Sequence, residues 1–576
     1  MNDPAFSQFY SDEYVTVSSF GWDGNVSNRN GRSCSLLVQI VEQKGKFDPK
    51  KAMELHVPKG PLFGQLSAGE TVLNTKGVEV RPEQVCAPSK PGPAFLWLSV
   101  HSEQQLQLLV NECTMLRDQL QLVSVVFHDV STLEIRGHPL YRELLSHFHS
   151  TCSHQWRMTS HTQPLSFTGT ARQTALLQTV CPQAFLSPPH PHASGMDHAR
   201  ALAAFCLLPA SRSGWDLSAA NRFSGECEQI EGMLQGSRAL AEQGRLSYLT
   251  WDLVFLGTGC AIPSRYRNVS GILLSLKQTT CKSPNGPPDY QRILLDCGED
   301  TVGTLSRLYA EVDDILATIT AIVITHRHAD HHLGLCRLLH RQWSYWMEHH
   351  SQREGGETFV PPLLILPTAV DAYVAEYAEK IGFPLHMVKC ADVCNAMGIT
   401  WNSVTFTTFR VDHCPGAFGI SLDAPALRSS THSKLVYTGD TQPYAAFYEH
   451  CWRPYILIHD STFEDELVAE AREKKHSTCK EAWQSGQNSQ AHCLIMTHFS
   501  QRYPKFPTLA VQEPLTGAPS HPMHTIVAFD GMRLDAALLA QLPLHAEVMA
   551  TLLQSESQTD AAADAETEAQ GHDTEL

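Results

Sequence analysis

Apolar positions in the second half of the chain come in short runs, and each run ends on polar residues able to do chemistry. Ala321-Ile322-Val323-Ile324 leads into Thr-His-Arg-His-Ala-Asp-His-His over 325–332. Phe409-Arg410-Val411 leads to Asp412-His413, the run 435–439 to Asp440, and the run 493–497 to His498. Runs of this length, rich in β-branched residues, read as strands. From Tyr248 to about Leu553 they alternate with helical stretches, the pattern of a layered α/β domain. Between about Val15 and Leu208 other short runs, 35–41 and 94–98, also read as strands, separated by a Gly/Pro-marked stretch at 57–64. No strand is legible before Val15. From Trp215 to Arg245 the chain has little β-branching and many Ala, Leu, Glu and Gln, which predicts a helical connector. The expected organisation is a first region over 1–214, a helical linker over 215–247, a second domain over 248–553 and a tail over 554–576.

Composition narrows this picture. With 576 residues and 43% hydrophobic content, one ordinary core is too small and two domains are expected. The 17 cysteines are scattered and form no CxxC pair, which fits reduced thiols in a reducing compartment. No run reaches the roughly 18 apolar residues of a membrane span, and the first residues lack the basic and apolar regions of a secretory signal. The expectation is a soluble intracellular protein, with nucleus, cytosol and mitochondrion all open. A net charge of −17 argues against a nucleic-acid partner by bulk attraction. Seven acids in the tail, however, sit in a stretch that reads as disordered. Meanwhile Arg265, Arg267, Lys474, Lys475, Arg502 and Lys505 lie near candidate site residues. Taken singly, each reads as part of a solvated face.

The run at 325–332 predicts two metal ions. On extended chain His326 and His328 point the same way and reach one ion, while Asp330 and His331, beyond the strand, are free to turn towards another. Two ions need further ligands, and the other strand ends supply them. His326, His328 and His413 are assigned to one ion, Asp330, His331 and His498 to the other, and Asp440 bridges. Each ion keeps an open position, as catalytic rather than structural zinc requires. Imidazole and carboxylate suit Zn2+, with manganese or iron not excluded by ligand type. His190, His192 and His198 are decoys: prolines flank His190 and no strand precedes them. His332, His340, His349 and His350 read as structural or solvent-facing.

With these residues in place the chain resembles the long-form tRNase Z family. Phe255 to Gly259, leading into Pro263-Ser264-Arg265-Tyr266-Arg267-Asn268, is similar to the family's PxKxRN loop, with Arg265 for lysine. Residues 295–301 resemble LDCGEGT, with Asp300 for glycine; Ile458-His459-Asp460-Ser461-Thr462 corresponds to the HEAT element, with Asp and Ser substituted. His476-Ser477-Thr478 matches HST, and 497–503 matches the closing ligand motif. The first region resembles the family's degenerate half at Gly60-Pro61 to Leu66 and Val80 to Cys86, where an extended Gly/Pro-rich arm grips the tRNA body; that half looks short at its start.

The resemblance implies a tandem metallo-β-lactamase fold, an αββα sandwich, with two Zn2+ ions. It implies removal of the 3′ trailer from precursor tRNA by phosphodiester hydrolysis, by a monomer whose degenerate half replaces a second subunit, with no membrane partner. Asp330 gains a second role in orienting or deprotonating water, and His476 is the general acid, with His459 as the alternative donor. Arg265, Arg267, Asn268, Ser477, Thr478, Gly60 and Pro61 are the implied substrate contacts. The competing readings are another hydrolase of the same superfamily and a catalytically silent RNA-binding protein.

Overall fold

The computed structural model describes residues 7–12, 14–20, 35–42, 44–100, 102–115, 117–130, 137–148, 152–158, 168–186, 204–207, 214–216, 250–277, 290–309, 311–349, 358–429, 431–444, 446–501 and 523–553. Contacts divide the chain into two compact units, Met1–Thr162 with His192–Phe223, and Gln163–Pro191 with Ser224–Leu576. Helix Thr168–Val180 therefore packs with the second unit, although it precedes 214. The predicted helical connector lies outside the described residues except at its start, where Gly214–Asp216 is instead a strand paired with Ala204–Cys206. The tail after Leu553, His190, His192, His198, Arg502 and Lys505 also lie outside the described residues.

Two seven-stranded sheets form the second unit. Alternation along the strands explains their stacking. Leu253, Phe255, Ile293, Leu295, Ala321 and Val323 belong to the core shared with the second sheet. Their neighbours Val254, Leu256, Leu294 and Ile322 pack on the opposite face with Leu305, Leu338 and Val374. Those last three come from helices Thr301–Leu308, Leu335–His349 and Thr368–Ile381. Successive side chains on a strand point to opposite faces, so strands apolar at every position need cover on both sides. Helix Cys479–Asn488 packs against strands Pro454–Asp460 and Cys493–Thr497 of the second sheet. The layers are helix, sheet, sheet, helix.

In the first sheet the strands are antiparallel from Arg533–Leu534 to Tyr290–Cys297 and parallel through Ile319–Val323, Leu363–Leu366 and His386–Lys389. The second sheet is parallel from Ser433–Tyr437 to His524–Val527. Loops leaving the C-terminal ends of parallel strands are where such sheets present chemistry. Helix and 3-10 turns over Ala536–Leu553 have a mean hydropathy of 1.4, long and apolar enough to cross a membrane. The sequence reading found no such run; here Leu538, Leu539, Leu542, Met549 and Leu553 are part of the core between the sheets.

The first unit has one six-stranded sheet, antiparallel from Ser7–Ser11 through Val15–Phe20 and Ser35–Ile40 to Ala94–Val100, then parallel through Val123–Val130 to Ser153–Met158. A strand thus precedes Val15; the polar segment Ser7–Ser11 carries too little apolar alternation to announce it. Residues 41–93 are inserted between two paired strands and close on their own small core of Ala52, Val57, Leu66, Val72, Val80 and Val85. Gly60 and Pro61 start a helix there, Pro61–Ala68, rather than an extended run. Gly60 has φ of 136°, open only to glycine, and proline suits the first helical position.

Candidate metal centre

Ligand groups gather where four strand ends of the second unit meet. His326, His328, His413 and Asp440 form one group and Asp330, His331 and His498 another, with the ligand atoms of each within 4.8 Å of one another. Local geometry forces this convergence. Gly439, at φ of 57°, brings the turn before Asp440 so close to Thr325 that a Cβ there would lie 2.9 Å from its side chain. At Gly298 a Cβ would meet the Asp330 carbonyl at 2.2 Å, so only glycine lets the 297–298 turn lie under the ligand helix Ala329–His332. Asp296 and His498 hold positive φ, 57° and 65°, a strain of the kind that sites keep when packing over-determines it.

Hydrogen bonds fix the ring nitrogens. Asp296 Oδ2 accepts from His331 Nδ1 at 2.7 Å and from the Tyr437 hydroxyl at 2.8 Å, while Oδ1 accepts from Thr325 N at 2.8 Å. His413 Nδ1 donates to the Lys475 carbonyl at 2.9 Å. The Thr462 hydroxyl donates to Asp460 Oδ1 at 2.6 Å, so His498 Nδ1 donates to Thr462 Oγ1 at 2.8 Å. In each ring a donating Nδ1 leaves a lone pair on Nε2. Those lone pairs face other ligand atoms: His331 Nε2 is 3.3 Å from His498 Nε2 and 3.3 Å from Asp440 Oδ1, and His413 Nε2 is 3.0 Å from His328 Nδ1. His498 Nε2 is 3.3 Å from Asp330 Oδ2.

Acceptors so arranged repel unless they share a cation, either a metal ion or a proton on His331. The spacing matches the edges of a tetrahedron with bonds of about 2.0–2.1 Å, which are about 3.3 Å long. The buried His326 Nε2 makes no hydrogen bond at all. Electrostatics say the same. Burial pushes His331 down, but Asp440, Asp330 and Asp296 outweigh it and raise its pKa well above the ordinary value. Burial holds His326, His328 and His413 low, in the neutral form a metal needs. Asp440 and Asp330 stay ionised: the neighbouring histidines overcome the cost of burial and lower both. The donor set fits metal ions.

A further pair lies beside these ligands. His476 Nδ1 bonds Asp460 Oδ2 at 2.8 Å, and its ring centroid is 4.8 Å from His413 and 5.4 Å from His498. Burial disfavours its charge, yet the Asp460 carboxylate lifts the pKa to about 9. Asp460 could also count as a ligand by distance. Its oxygens are already used, however: Oδ1 accepts from Thr462 N and Oγ1, Oδ2 from Thr441 N and His476.

The structure does not bring His459 to this cluster. On strand Pro454–Asp460 adjacent residues face opposite ways, so with Asp460 inward His459 lies against Phe447, ring centroids 5.5 Å apart. Several implied substrate contacts are buried. Arg267 is 2% exposed, and Asn268 Nδ2 donates to the Glu299 carbonyl and to Thr304 Oγ1. Ser477 Oγ donates to the Thr441 carbonyl, and Thr478 caps helix Cys479–Asn488 in a capping box with Glu481. These four shape the site from within. Arg265 is exposed, and Gly60 and Pro61 lie in the first unit. Sequence reasoning missed the supporting groups Asp296, Asp460, Thr462 and Asp530; Asp296 and Asp460 sit in motifs it had marked, but their partners are distant in sequence.

Comparison with known proteins gives three kinds of relative. The family described as "Anti-Pycsar protein Apyc1" matches residues 251–511. The chain is 28% identical to "tRNAse Z TRZ4, mitochondrial" of Arabidopsis thaliana, over 92% of this chain and 67% of that one. It is 29% identical to "Ribonuclease Z, mitochondrial" of Drosophila melanogaster, over 87% and 68%. It is 30% identical to "Zinc phosphodiesterase ELAC protein 2" of Mus musculus, over 88% and 62%. The chain thus spans about two thirds of the length of these relatives. Among solved structures, a long form RNase Z from yeast superposes with a TM-score of 0.63 at 17% identity, over 95% of this chain and 84% of that one. The fold is that of the long form RNase Z, an αββα sandwich as the sequence leads one to expect.

Proposed function

We infer that this chain, a homologue of the ribonuclease Z proteins, is an endoribonuclease that removes the 3′ trailer from precursor tRNA with two Zn2+ ions. The observation that carries the reading is the His476–Asp460 pair set against two ligand groups whose facing nitrogens and oxygens lie 3.0–3.4 Å apart. Hydrolysis of a phosphodiester needs those two parts together: a place for metal and a proton for the leaving oxygen.

His326, His328 and His413 would hold one ion, Asp330, His331 and His498 the other, and Asp440 would bridge. When bound, such ions supply Lewis-acid activation of water and neutralise charge growing on the phosphoryl oxygens. The chain's own groups do the rest. Asp330 Oδ2 is fixed by the Ala261 N–H at 2.7 Å, which leaves Oδ1 to orient the attacking water and take its proton. His476, charged at neutral pH and held at Nδ1, delivers a proton from Nε2 to the tRNA 3′ oxygen as the phosphorus–oxygen bond breaks. The products are a tRNA 3′-hydroxyl and a trailer 5′-phosphate.

The first unit serves as a degenerate half that grips the tRNA body through the insertion 41–93. Its sheet repeats the antiparallel-then-parallel order of the catalytic first sheet. Its strand Val123–Val130 carries His128 two residues before its end, with Nδ1 taken by the Tyr141 hydroxyl at 2.6 Å, and among its described residues no ligand group forms. The insertion holds eight Lys and Arg against six Asp and Glu in a chain of net charge −17, which favours contact with phosphate. Names of the plant and fly relatives place those proteins in mitochondria, so an organelle is among the compartments to test.

Incubation with a trailer-bearing precursor tRNA and zinc, with the cut mapped, tests the proposal. A single cut just after the discriminator nucleotide is expected. Zinc-loaded protein that leaves this RNA intact while hydrolysing a small phosphodiester would replace tRNA processing with another hydrolase activity.

A further inference from the structure

Arg267 was expected to face substrate, yet it is one of the most deeply buried charges in the second unit. Its Nη1 donates to Thr258 Oγ1 at 2.6 Å and to the Ala528 carbonyl at 2.8 Å. The guanidinium lies over two rings, 4.5 Å from the centroid of Phe499 and 5.0 Å from that of Phe529. Thr258 Oγ1 passes its own proton to Asp530 Oδ1 at 2.7 Å, and Asp530 Oδ2 accepts from Asn268 N at 2.5 Å. A planar donor between aromatic faces is a role that lysine fills only in part, through its charge.

What this hub holds is the second ligand group. Phe499 follows the ligand His498; its N–H donates to the Thr258 carbonyl at 2.8 Å and its carbonyl accepts from Cys260 N at 3.1 Å. One residue further, Ala261 donates to the ligand Asp330 at 2.7 Å from a backbone at φ of 68°. Alanine in that region is strained, and holds it only where its surroundings fix it. Two ligands of one ion therefore hang from the same loop, 258–268, and Arg267 ties that loop to the turn at 528–530.

We propose that Arg267 is a positioning residue for the ion held by Asp330, His331 and His498, acting through Phe499 and the Ala261 N–H rather than by touching RNA. The proposal rests on the metal reading of the site but not on the identity of the substrate. Groups that orient ligands without binding metal change affinity by about 10–100-fold when removed.

The test is a chelator titration of zinc from Arg267→Met, Arg267→Lys and wild type without RNA, followed by kinetics on precursor tRNA and on a small chromogenic phosphodiester. For Arg267→Met we expect one of two zinc ions to be released about 10–100-fold more readily. Turnover should fall by the same factor on both substrates with the KM for tRNA unchanged, and Arg267→Lys should restore part of it. Wild-type zinc release with a raised KM for tRNA alone would overturn the proposal in favour of an RNA contact. Phe499→Leu guards against misfolding of Arg267→Met: it removes the ring beneath the guanidinium and should loosen the same ion. A folded Phe499→Leu protein with both ions at wild-type affinity also overturns it.

Discussion

Replacing Asp460 with asparagine should move the alkaline limit of cleavage. The His476 to Asp460 contact is 2.8 Å long, with side chains 13% and 0% exposed, so water screens it weakly. A rise from the ordinary histidine value of about 6.5 to about 9 corresponds to about 3 kcal/mol of preference for imidazolium. Asparagine has similar shape and keeps one acceptor oxygen in place of two, but it carries no charge, and burial then pulls the imidazole back towards its ordinary range or below. Because a general acid must be protonated, the wild-type rate should fall as pH rises through about 9. The Asp460→Asn rate should already fall near neutrality. At pH 8 an imidazole of pKa near 6.5 is only about 3% charged, so single-turnover cleavage of precursor tRNA should drop about 30-fold. Bound ions add positive charge and lower the limit in both proteins, so the quantity to measure is the separation between the two profiles. A phosphodiester with a p-nitrophenolate leaving group needs no acid and is the control. Coincident alkaline limbs for the two proteins, or an equal loss on the control substrate, would refute the general-acid assignment. Stability follows the same linkage. A raised imidazole pKa contributes fully below about pH 6.5 and is lost as pH rises through about 9. Thermal melts should therefore show wild type losing its advantage over Asp460→Asn across that window.

Other expectations follow from the same geometry. Asp296→Asn removes the carboxylate that holds His331, Thr325 and Tyr437, and should weaken zinc binding by about 10–100-fold in a chelator titration with every ligand intact. Asp330→Ala should abolish cleavage and release zinc; near-normal turnover with full zinc occupancy would remove it from the ligand set. Deleting Gly60 to Leu66 takes the helix out of the inserted subdomain and should weaken cleavage of tRNA far more than of the small phosphodiester. Equal losses on both would deny it a role in gripping RNA. Stripping metal should lower the melting temperature, since a ligand at 100 times its Kd contributes about 2.7 kcal/mol. An unchanged melt would mean that the crowded acceptors hold together without a metal ion.

What could be read from the chain and what could not differ by range. His326 and His328 were legible because residues two apart in extended chain share a side, a fact contained in three residues. Asp296 lies 35 residues from His331, and its carboxylate became a support only when neighbouring strands Tyr290–Cys297 and Ile319–Val323 paired in parallel. Strand Pro454–Asp460 shows a second limit. Its residues are nearly all buried, so no alternation of polar and apolar positions reveals which side faces the metals. His459 was marked and Asp460 was not, yet the phase of the strand turned Asp460 inward and His459 against Phe447. Arg267 shows a third. A cation in a loop reads as surface, and only the closing of Thr258, Ala528 and Phe499 around it makes burial affordable.

These three cases share a physical cause. Ligand chemistry is carried by the residue itself, so it survives being read in one dimension. Orientation of that ligand is carried by a partner that folding must bring to it, and pKa is set by the charge that arrives with the partner. The metal-binding set is therefore written in short motifs, whereas the groups that fix ring tautomers, lift His476 and seat the 258–268 loop come from elsewhere in the fold. Variants of those supporting groups should leave the ligand count intact and change affinity and pH dependence instead, so a zinc count taken in excess metal would pass every one of them, and only a competitive titration or a pH profile will separate them from wild type.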